Sequence, residues 1–273
     1  MESAATIREL RREVEAREWY HTLELAPGVE TPGWFDLREV SRGFPIPESL
    51  SGKRCLDVGT FDGFWAYEME RRGARGVVAV DVNDPDGWDW PADSTEEAVA
   101  AIARRKAGGS GFELAHRALG SRVERLDLSV YDLDPSEIGE FELIYLGSLL
   151  IHLRDPVAAL ERVRSVCSRT LVLCDAIDTV TTTAFRRRPV ATLDGRGRPW
   201  WWKPNLAALV RMVEAAGFTL TAEPRRLRLP PGRGQPRLRP TMQIVASRRG
   251  REELGRTWRG DPHAILVAAP NSS

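Results

Sequence analysis

The stretch Cys55-Leu-Asp-Val-Gly-Thr-Phe-Asp-Gly-Phe-Trp65 decides the fold of this chain. The run over residues 53–58 becomes apolar and stops at Gly59, Gly63 follows, and residues 64–72 have the pattern of a helix. A strand that turns through glycines into a helix brings backbone N–H groups close to a nucleotide-like ligand. The motif therefore predicts a strand–loop–helix unit with a ligand site at its turn.

The spacing of the glycines indicates the ligand. Dinucleotide-binding folds use three glycines, as Gly-x-Gly-x-x-Gly, so that the backbone can reach a pyrophosphate. Here the pattern is Asp-x-Gly-x-x-x-Gly, with Asp57 inside the strand end and Phe61 and Phe64 beside the glycines. It favours a ligand with an ammonium group and no phosphate, S-adenosylmethionine. A second apolar run, residues 76–80, ends in Asp81, where an acid can accept hydrogen bonds from both ribose hydroxyls.

Composition excludes several classes of protein. The chain has 273 residues, zero formal net charge and 42% hydrophobic residues, which predicts a soluble globular protein of one large α/β domain with an extension, or two small domains. No apolar run suits a membrane span, and residues 1–20 lack a signal-peptide core. Cys55, Cys167 and Cys174 form no Cys-x-x-Cys pair, which indicates reduced core residues in a cytoplasmic protein and no metal site.

Basic residues far outnumber acids in residues 181–260. A basic half can indicate nucleic acid or a phosphorylated substrate as the partner. However, lysine occurs only at Lys53, Lys106 and Lys203, and arginine fills every other basic position. Such a bias is typical of GC-rich codon usage, so a solvated arginine surface remains an alternative explanation.

Turn residues divide the chain into three parts. Residues 1–48 are predicted as a helix to about Tyr20 followed by an irregular loop, residues 49–250 as alternating strands and helices, and residues 251–273 as a C-terminal tail. The predicted strands are residues 53–58, 76–80, 123–128, 141–146, 170–173, 218–229 and 241–247. This order predicts an open α/β fold with a mostly parallel sheet, one antiparallel strand and helices on both faces. Residues 176–203 interrupt the alternation.

Five segments occur here in the order in which one family has them. They are Trp19-Tyr-His-Thr22, Thr31-Pro-Gly-Trp-Phe-Asp36, the glycine loop from Leu56 to Trp65, Ser129-Val-Tyr-Asp-Leu133 and His152-Leu-Arg-Asp-Pro156. Together they resemble class I S-adenosylmethionine-dependent methyltransferases related to the tRNA wobble-uridine 5-oxyacetic acid carboxymethyltransferase, over roughly residues 17–220. The resemblance implies a Rossmann-like seven-stranded sheet of order 3-2-1-4-5-7-6. It also implies that residues 1–48 include a lid, and in this fold an insertion such as residues 176–203 covers the acceptor site.

The chain departs from the tRNA enzyme where that enzyme holds the extra carboxylate of carboxy-S-adenosylmethionine. The resemblance places a tyrosine before the histidine of the fourth-strand motif, but here Ile151 precedes His152. Lysines that flank the N-terminal site in that enzyme have no lysine counterpart, and Trp34 and Phe35 occupy the region. An isoleucine cannot hydrogen-bond a carboxylate, and burying an unpaired carboxylate is costly. We therefore expect plain S-adenosylmethionine as the cofactor.

The expected reaction is methyl transfer to an oxygen, nitrogen or carbon of a small molecule, in the setting of secondary-metabolite tailoring. A tRNA-modifying enzyme is one alternative, and it predicts a continuous basic face with salt-dependent binding to tRNA. A non-catalytic cofactor-binding protein is the other. No membrane partner is expected, and the sequence leaves the oligomeric state open.

Ligands of open α/β sheets lie beyond the carboxyl ends of the strands. The candidate cofactor-binding residues are Asp57, Gly59, Thr60, Phe61, Gly63, Asp81, Val82, Val130, Tyr131, Gly147 and Ser148. Methyl transfer requires alignment and exclusion of water, and it requires a base only when the acceptor carries a proton. The candidate bases are His152, Asp175 and His21, each with a structural role as the alternative. The candidate acceptor-binding residues are Trp19, Tyr20, Trp34, Trp200, Trp201 and Arg186.

Overall fold

One eight-stranded sheet organises the residues that the computed structural model describes, which are 4–193, 200–236 and 239–271. The strands are β1 Trp19–His21, β2 Glu24–Ala26, β3 Val29–Glu30, β4 Gly33–Phe35, β5 Arg54–Val58, β6 Gly76–Asp81, β7 Glu124–Asp127, β8 Phe141–Gly147, β9 Cys167–Ala176, β10 Ala191–Leu193, β11 Trp202–Pro204, β12 Phe218–Leu220, β13 Arg225–Leu229 and β14 Asp261–Pro270. The helices are α1 Ala4–Glu15, α2 Phe64–Arg71, α3 Glu96–Lys106, α4 Ser110–Leu119, α5 Pro135–Ile138, α6 Pro156–Ser165, α7 Thr179–Ala184, α8 Leu206–Ala215, α9 Met242–Ala246 and α10 Arg248–Arg259. Short 3₁₀ turns lie at Val40–Gly43, Pro85–Gly87, Ala107–Gly109, Val130–Asp132 and Leu150–His152.

The order of strands in the sheet is β7-β6-β5-β8-β9-β14-β12, with β13 also paired to β14. All pairs from β7 to β9 are parallel, whereas β14 runs antiparallel to β9, β12 and β13. When the strands of this sheet alone are numbered along the chain, from β5 as 1 to β14 as 7 and with β12 and β13 sharing the number 6, the order is 3-2-1-4-5-7-6. This is the expected order, and the Rossmann-like fold class is confirmed. The sixth position is divided between β12 and β13, which adds an eighth strand to the predicted seven.

Two apolar clusters cover opposite faces of the sheet. Successive strand residues alternate between them, since Cys55 and Val77 belong to the first cluster and Leu56 and Val78 to the second, as the pleat requires. The N-terminal segment, α2 and α4 pack on the first face, and α6 and α8 pack on the second. Within the described part of the chain, no helix combines the length and the hydrophobicity needed to cross a membrane.

Local sequence explains where the helices of the second face begin. Asp155 caps α6 by accepting a hydrogen bond from the Ala158 N–H at 2.9 Å, and Pro156 occupies the first helical position, where its missing N–H is not needed. Asn205 caps α8 in the same way, with 2.8 Å between its side-chain oxygen and the Ala208 N–H.

The N-terminal segment differs from the prediction. The first helix ends at Glu15 instead of continuing to about Tyr20, and Trp19–His21 forms a strand that pairs in parallel with Gly33–Phe35. A hairpin of β2 and β3 stands where an irregular loop was expected. The reason is tertiary, because one carboxylate oxygen of Asp62 accepts the N–H groups of Tyr20 and His21 at 2.6 and 2.8 Å and holds this backbone extended.

The C-terminal segment also corrects the prediction. Within residues 241–247, which were predicted as a strand, the chain forms the helix α9, Met242–Ala246, capped by Thr241. The strand at the seventh position is instead β14, within the stretch predicted as a tail, and it lies between β9 and the pair β12 and β13. Burial explains the difference, because Ala264, Ile265 and Leu266 are buried in the sheet whereas Met242 is 88% exposed.

Candidate functional site

A cavity of about 460 Å³ opens at the carboxyl ends of β5, β6 and β8. Its volume falls in the range of about 300–1,000 Å³ that is usual for small-molecule pockets. The glycine loop, the end of β6, the turn Val130–Asp132 and the residues after β8 form its floor. Tyr20 and Trp34 from the N-terminal segment and Arg256 and Asp261 from the C-terminal segment also line it.

The glycine loop is held by hydrogen bonds on both sides. The N–H groups of Gly59 and Thr60 donate to the Val80 carbonyl at 2.9 and 3.2 Å, which joins the loop to β6. The Asp57 carboxylate accepts the Thr60 hydroxyl at 2.7 Å and the Ala66 N–H at 3.1 Å, which joins it to α2. Burial raises the pKa of Asp57 to about 7. The loop is therefore rigid before any ligand binds.

Asp81 links three parts of the cavity wall. One carboxylate oxygen accepts the Phe61 N–H at 2.8 Å; the other accepts the Val82 N–H at 2.8 Å and pairs with the Lys106 ammonium. A carboxylate offers about four acceptor positions, and the protein occupies three of them. Asp81 thus lines the cavity as predicted, but only one acceptor position is left for two ribose hydroxyls. To accept both, Asp81 must take a further hydrogen bond at an oxygen that is already occupied, or Lys106 must move away from it.

Most of the predicted cofactor-binding residues come together on this wall. They are Asp57, Gly59, Thr60, Phe61, Asp81, Val82, Val130, Tyr131, Gly147 and Ser148. Gly63 is the exception and corrects the prediction, because it lies outside the cavity lining. Its φ is +90°, and an added Cβ would lie 2.5 Å from the Tyr67 ring and 2.8 Å from the Phe112 ring. Gly63 therefore serves the packing of α2 against α4.

Asp175 does not line the cavity, contrary to its predicted role as a base. It is fully buried, and its carboxylate accepts the N–H groups of Leu149, Leu150 and Ala176 at 3.0, 2.8 and 2.7 Å. Burial raises its pKa. These three backbone hydrogen bonds make Asp175 the residue that fixes the turn after β8. His152, at the end of that turn, does line the cavity.

His21 also lines the cavity, but as a neutral ring. Burial lowers its pKa to about 3, so the imidazole is uncharged at neutral pH. Its Nδ1 lies 4.0 Å from the nearer Asp62 oxygen without a hydrogen bond. Burial also raises the pKa of Asp62 to about 7. A ring that resists protonation this strongly is a weak general base.

Ser148 and His263 form a pair that the sequence did not suggest. The Ser148 hydroxyl lies on the cavity wall, 2.9 Å from Nε2 of His263, and Ser148 has a φ of +53°. His263 Nδ1 lies 3.1 Å from the Asp261 carbonyl oxygen. A carbonyl only accepts, so Nδ1 carries the ring proton and Nε2 accepts from the Ser148 hydroxyl. No local signal marks His263, since it falls in the predicted tail.

The predicted acceptor-binding residues divide into two groups. Tyr20, Trp34 and Trp200 line the cavity. The other three do not, and each corrects the prediction. Trp19 is 1% exposed in the core, with its Nε1 donating to the Val14 carbonyl. Trp201 donates its Nε1 to the Asp89 carbonyl outside the lining, and Arg186 is exposed on the surface.

Charged residues of α3 and the C-terminal segment complete the wall and were missed by the sequence analysis. Arg105 and Lys106 lie at the end of α3. Arg256 of α10 forms an ion pair of 3.0 Å with Asp261 at the start of β14. Neither segment carries a motif, so only the fold brings these side chains to the cavity.

The described residues include no group of three or more His, Cys, Asp or Glu arranged to hold a metal ion.

Comparisons with known proteins identify the family of the chain. Residues 36–223 match the family described as methyltransferase domain. The tRNA U34 carboxymethyltransferase of Dichelobacter nodosus is 29% identical over 175 residues, which are 63% of this chain and 47% of that protein. That of Pseudomonas aeruginosa strain LESB58 is 27% identical over 177 residues, 62% of this chain and 46% of that protein. The chain spans about half the length of these curated relatives.

Solved structures share the fold at low sequence identity. The N-terminal domain of EvdMO1, crystallised with S-adenosylhomocysteine, is 16% identical, with a TM-score of 0.53 over 100% of this chain and 98% of that one. A protein of Listeria monocytogenes described as an S-adenosylmethionine-dependent methyltransferase is 11% identical, with a TM-score of 0.50 over 86% of this chain and 98% of that one.

Proposed function

The chain belongs to the methyltransferase domain family, and we propose that it transfers a methyl group from S-adenosylmethionine to a small-molecule acceptor. The observation that carries the proposal is the single cavity wall on which the glycine loop, Asp81 and the turn Val130–Asp132 meet. These three elements come from consecutive parallel strands, where the fold class binds its ligands.

The residues of this wall suit the parts of the cofactor. Asp81 and the backbone of Val82 would face the ribose, and Val130 and Tyr131 would line the adenine. The loop from Gly59 to Phe61 and the backbone of Gly147 would run along the amino-acid end. When bound, S-adenosylmethionine supplies a methyl group activated by its sulfonium, so the protein contributes alignment and exclusion of water.

Exclusion of water falls to the N-terminal segment, which we propose acts as a lid. The Tyr20 ring stacks on the Phe61 ring, with 4.6 Å between their centroids, and so connects the segment to the glycine loop. Trp200, from the insertion after β9, and the Arg256–Asp261 pair line the cavity as well. We propose that the described part of this insertion, residues 176–193 and 200–203, covers the acceptor; residues 194–199 lie outside the described part of the chain.

A hydroxyl or amine acceptor must lose a proton, and two groups on the wall can take it. His152 is the first. The second is Ser148 with His263. When the acceptor gives its proton to the Ser148 oxygen, Ser148 passes its own hydroxyl proton to Nε2 of His263. Either group leaves the acceptor atom with a lone pair for the methyl carbon, and a positioned base of this kind accelerates reactions by about 10²–10⁴-fold.

Two points favour the plain cofactor and a small acceptor over the activity named for the curated relatives. Ile151 lines the cavity and offers a carboxylate no hydrogen bond. The match to the tRNA enzymes covers under half of their length. Their shared sequence nevertheless makes tRNA modification the second candidate function.

Methyl-labelled S-adenosylmethionine separates these functions. The purified protein is incubated with labelled cofactor and either the small-molecule fraction or the total tRNA of the cells that produce it. We expect label to enter the small-molecule fraction only. Label in tRNA would replace the proposal with the second function. Cofactor binding without transfer to either fraction, both from labelled S-adenosylmethionine and from labelled carboxy-S-adenosylmethionine, would favour a non-catalytic cofactor-binding protein.

A further inference from the structure

Arg105 places a buried guanidinium on the cavity wall, and one of its N–H donors is unsatisfied within the described part of the chain. Its side chain is 7% exposed, and its Nε is buried without a hydrogen-bond partner. Its ion pair with the half-exposed Glu18 spans 3.7 Å, too long for a hydrogen bond. A guanidinium carries five N–H donors and no acceptor, and burying such donors unsatisfied is costly. The site therefore suits an anion from outside the chain.

The position of the guanidinium is set by Trp34. The Arg105 Cζ lies 3.4 Å from the centroid of the Trp34 ring, so the two groups stack face to face. Trp34 belongs to β4, which pairs with β1, and Tyr20 of β1 stacks on Phe61 of the glycine loop. Arg105 therefore lies on the part of the cavity wall that the N-terminal segment shares with the glycine loop.

Among the described lining residues, the other lysine and arginine side chains lie within hydrogen-bond distance of a carboxylate, whereas Glu18 lies 3.7 Å from Arg105 Nε. Lys106 pairs with Asp81, and Arg256 lies 3.0 Å from Asp261. Among the described lining residues this leaves Arg105 as the cation beside the glycine loop that a ligand carboxylate can satisfy. An amino-acid group carries one carboxylate and one ammonium, and Asp57 and Asp261 supply acids on the same wall for the ammonium.

We propose that Arg105, held flat on Trp34, binds the carboxylate at the amino-acid end of S-adenosylmethionine. This inference rests on the proposed function, because it assumes that the cofactor occupies this cavity. It assigns Arg105 to cofactor binding and Trp34 to holding the guanidinium plane, whereas the sequence placed Trp34 with the acceptor. A planar guanidinium can meet both carboxylate oxygens at once, which a lysine cannot.

The test compares two ligands that differ in the amino-acid chain that carries this carboxylate. S-adenosylhomocysteine has the amino-acid group, and 5′-methylthioadenosine has the same nucleoside and thioether without it. Calorimetric titration should show that Arg105→Gln weakens binding of S-adenosylhomocysteine by about 10- to 100-fold and changes binding of 5′-methylthioadenosine less than about twofold. Arg105→Lys should lie between Arg105→Gln and wild type. Arg104→Gln is the matched control, since Arg104 is its neighbour, is 63% exposed and also faces Glu18, and it should bind both ligands as wild type does.

Other outcomes overturn the inference. Equal weakening of both ligands would make Arg105 a structural residue, and unchanged binding of S-adenosylhomocysteine would mean that any anion at Arg105 belongs to the acceptor. Wild-type protein that binds neither ligand would overturn the proposed function as well. Thermal unfolding shows whether each variant folds. If Arg105→Gln does not fold, Arg105→Lys is used for the test instead. The inference is then contradicted if the ratio of the affinity for S-adenosylhomocysteine to that for 5′-methylthioadenosine is the same in Arg105→Lys as in wild type.

Discussion

The two glycines of the loop after β5 serve different purposes. Gly59 has a φ of +73° and lines the cavity, so its missing side chain leaves room for a ligand. Gly63 has a φ of +90° and lies against Tyr67 and Phe112 outside the cavity. One motif therefore combines a binding requirement with a packing requirement, and the spacing of the glycines in the sequence does not distinguish them.

Gly63→Ala should destabilise the protein more than Gly73→Ala does. Both glycines have a positive φ, but a Cβ at Gly73 meets nothing within 4 Å. Backbone strain costs roughly 1–2 kcal/mol at each, and the clash adds about 1–3 kcal/mol at Gly63 alone. Urea unfolding of both variants measures the difference in free energy of unfolding. Equal losses would show that Gly63 matters only for its backbone.

The pH dependence of stability tests the buried state of His21. Its pKa falls from 6.5 in the unfolded chain to about 3 in the fold. The unfolded chain therefore binds a proton that the folded chain does not, and this residue's contribution to stability is complete above pH 6.5 and is lost as pH falls toward 3. Asp57 and Asp62, whose raised pKa values act in the opposite direction, cancel when wild type is compared with His21→Gln.

Between pH 7 and pH 5, wild type should lose about 2 kcal/mol of stability relative to His21→Gln, at about 1.4 kcal/mol for each pH unit below 6.5. Urea unfolding of both proteins at each pH gives this difference. A protonated His21 stabilised by Asp62 would produce the opposite trend, with wild type gaining stability relative to the variant on acidification.

At the scale of elements, β14 is the strand on which the antiparallel side of the sheet depends. It pairs with β9 along six residues and with both β12 and β13 on its other edge. Its side chains Ile265 and Leu266 enter the two apolar clusters on opposite faces. It also supplies Asp261 and His263 next to the cavity, so it links the stability of the sheet to the site.

A chain ending at Arg259 should not fold cooperatively. Removing β14 leaves the edge of β9 unpaired, and β12 and β13 lose their partner. Circular dichroism should show no cooperative thermal transition for this variant, whereas removing only the last two residues should leave the transition in place. A cooperative transition in the shorter chain would mean that β14 is dispensable for the fold.

Elements could be predicted from the sequence where the signal is local. β5, β6 and β8 are apolar runs that end at glycine or aspartate, and α6 and α8 begin at an Asp-Pro pair and an Asn cap. Residues 241–247 were predicted wrongly because a short apolar run fits a strand and a capped helix equally well. The strand Trp19–His21 depends on Asp62, more than 40 residues away, and a distant partner of this kind leaves no periodic signal.

The same limit applies to the site. Most cofactor-binding candidates could be located because strand ends converge in this fold class. Arg105 and Asp261 reach the cavity, and His263 reaches Ser148 on its wall, only through the packing of α3 and β14. Asp175 looked catalytic at the end of its strand, yet its carboxylate turns inward to three backbone N–H groups, and sequence patterns do not report the direction of a side chain.

At the scale of the whole molecule, the sheet presents its carboxyl ends to a cavity that segments from both ends of the chain enclose. Tyr20 and Trp34 come from before β5, and Arg256 and Asp261 come from after β13. Closure from two sides should shield a bound sulfonium from water and make ligand binding stabilise the whole fold. Each of these roles requires that this cavity binds S-adenosylmethionine.

Calorimetric titration with S-adenosylhomocysteine tests that claim most directly, on wild type and on Asp81→Asn. The account predicts one binding site per chain in wild type. It predicts binding at least about tenfold weaker in Asp81→Asn, because a hydrogen bond to a charged carboxylate contributes about 1.5–3 kcal/mol. Asp86→Asn, an exposed acid of the neighbouring turn, should bind like wild type. Absence of binding in wild type, or equal affinity in Asp81→Asn, would contradict the account.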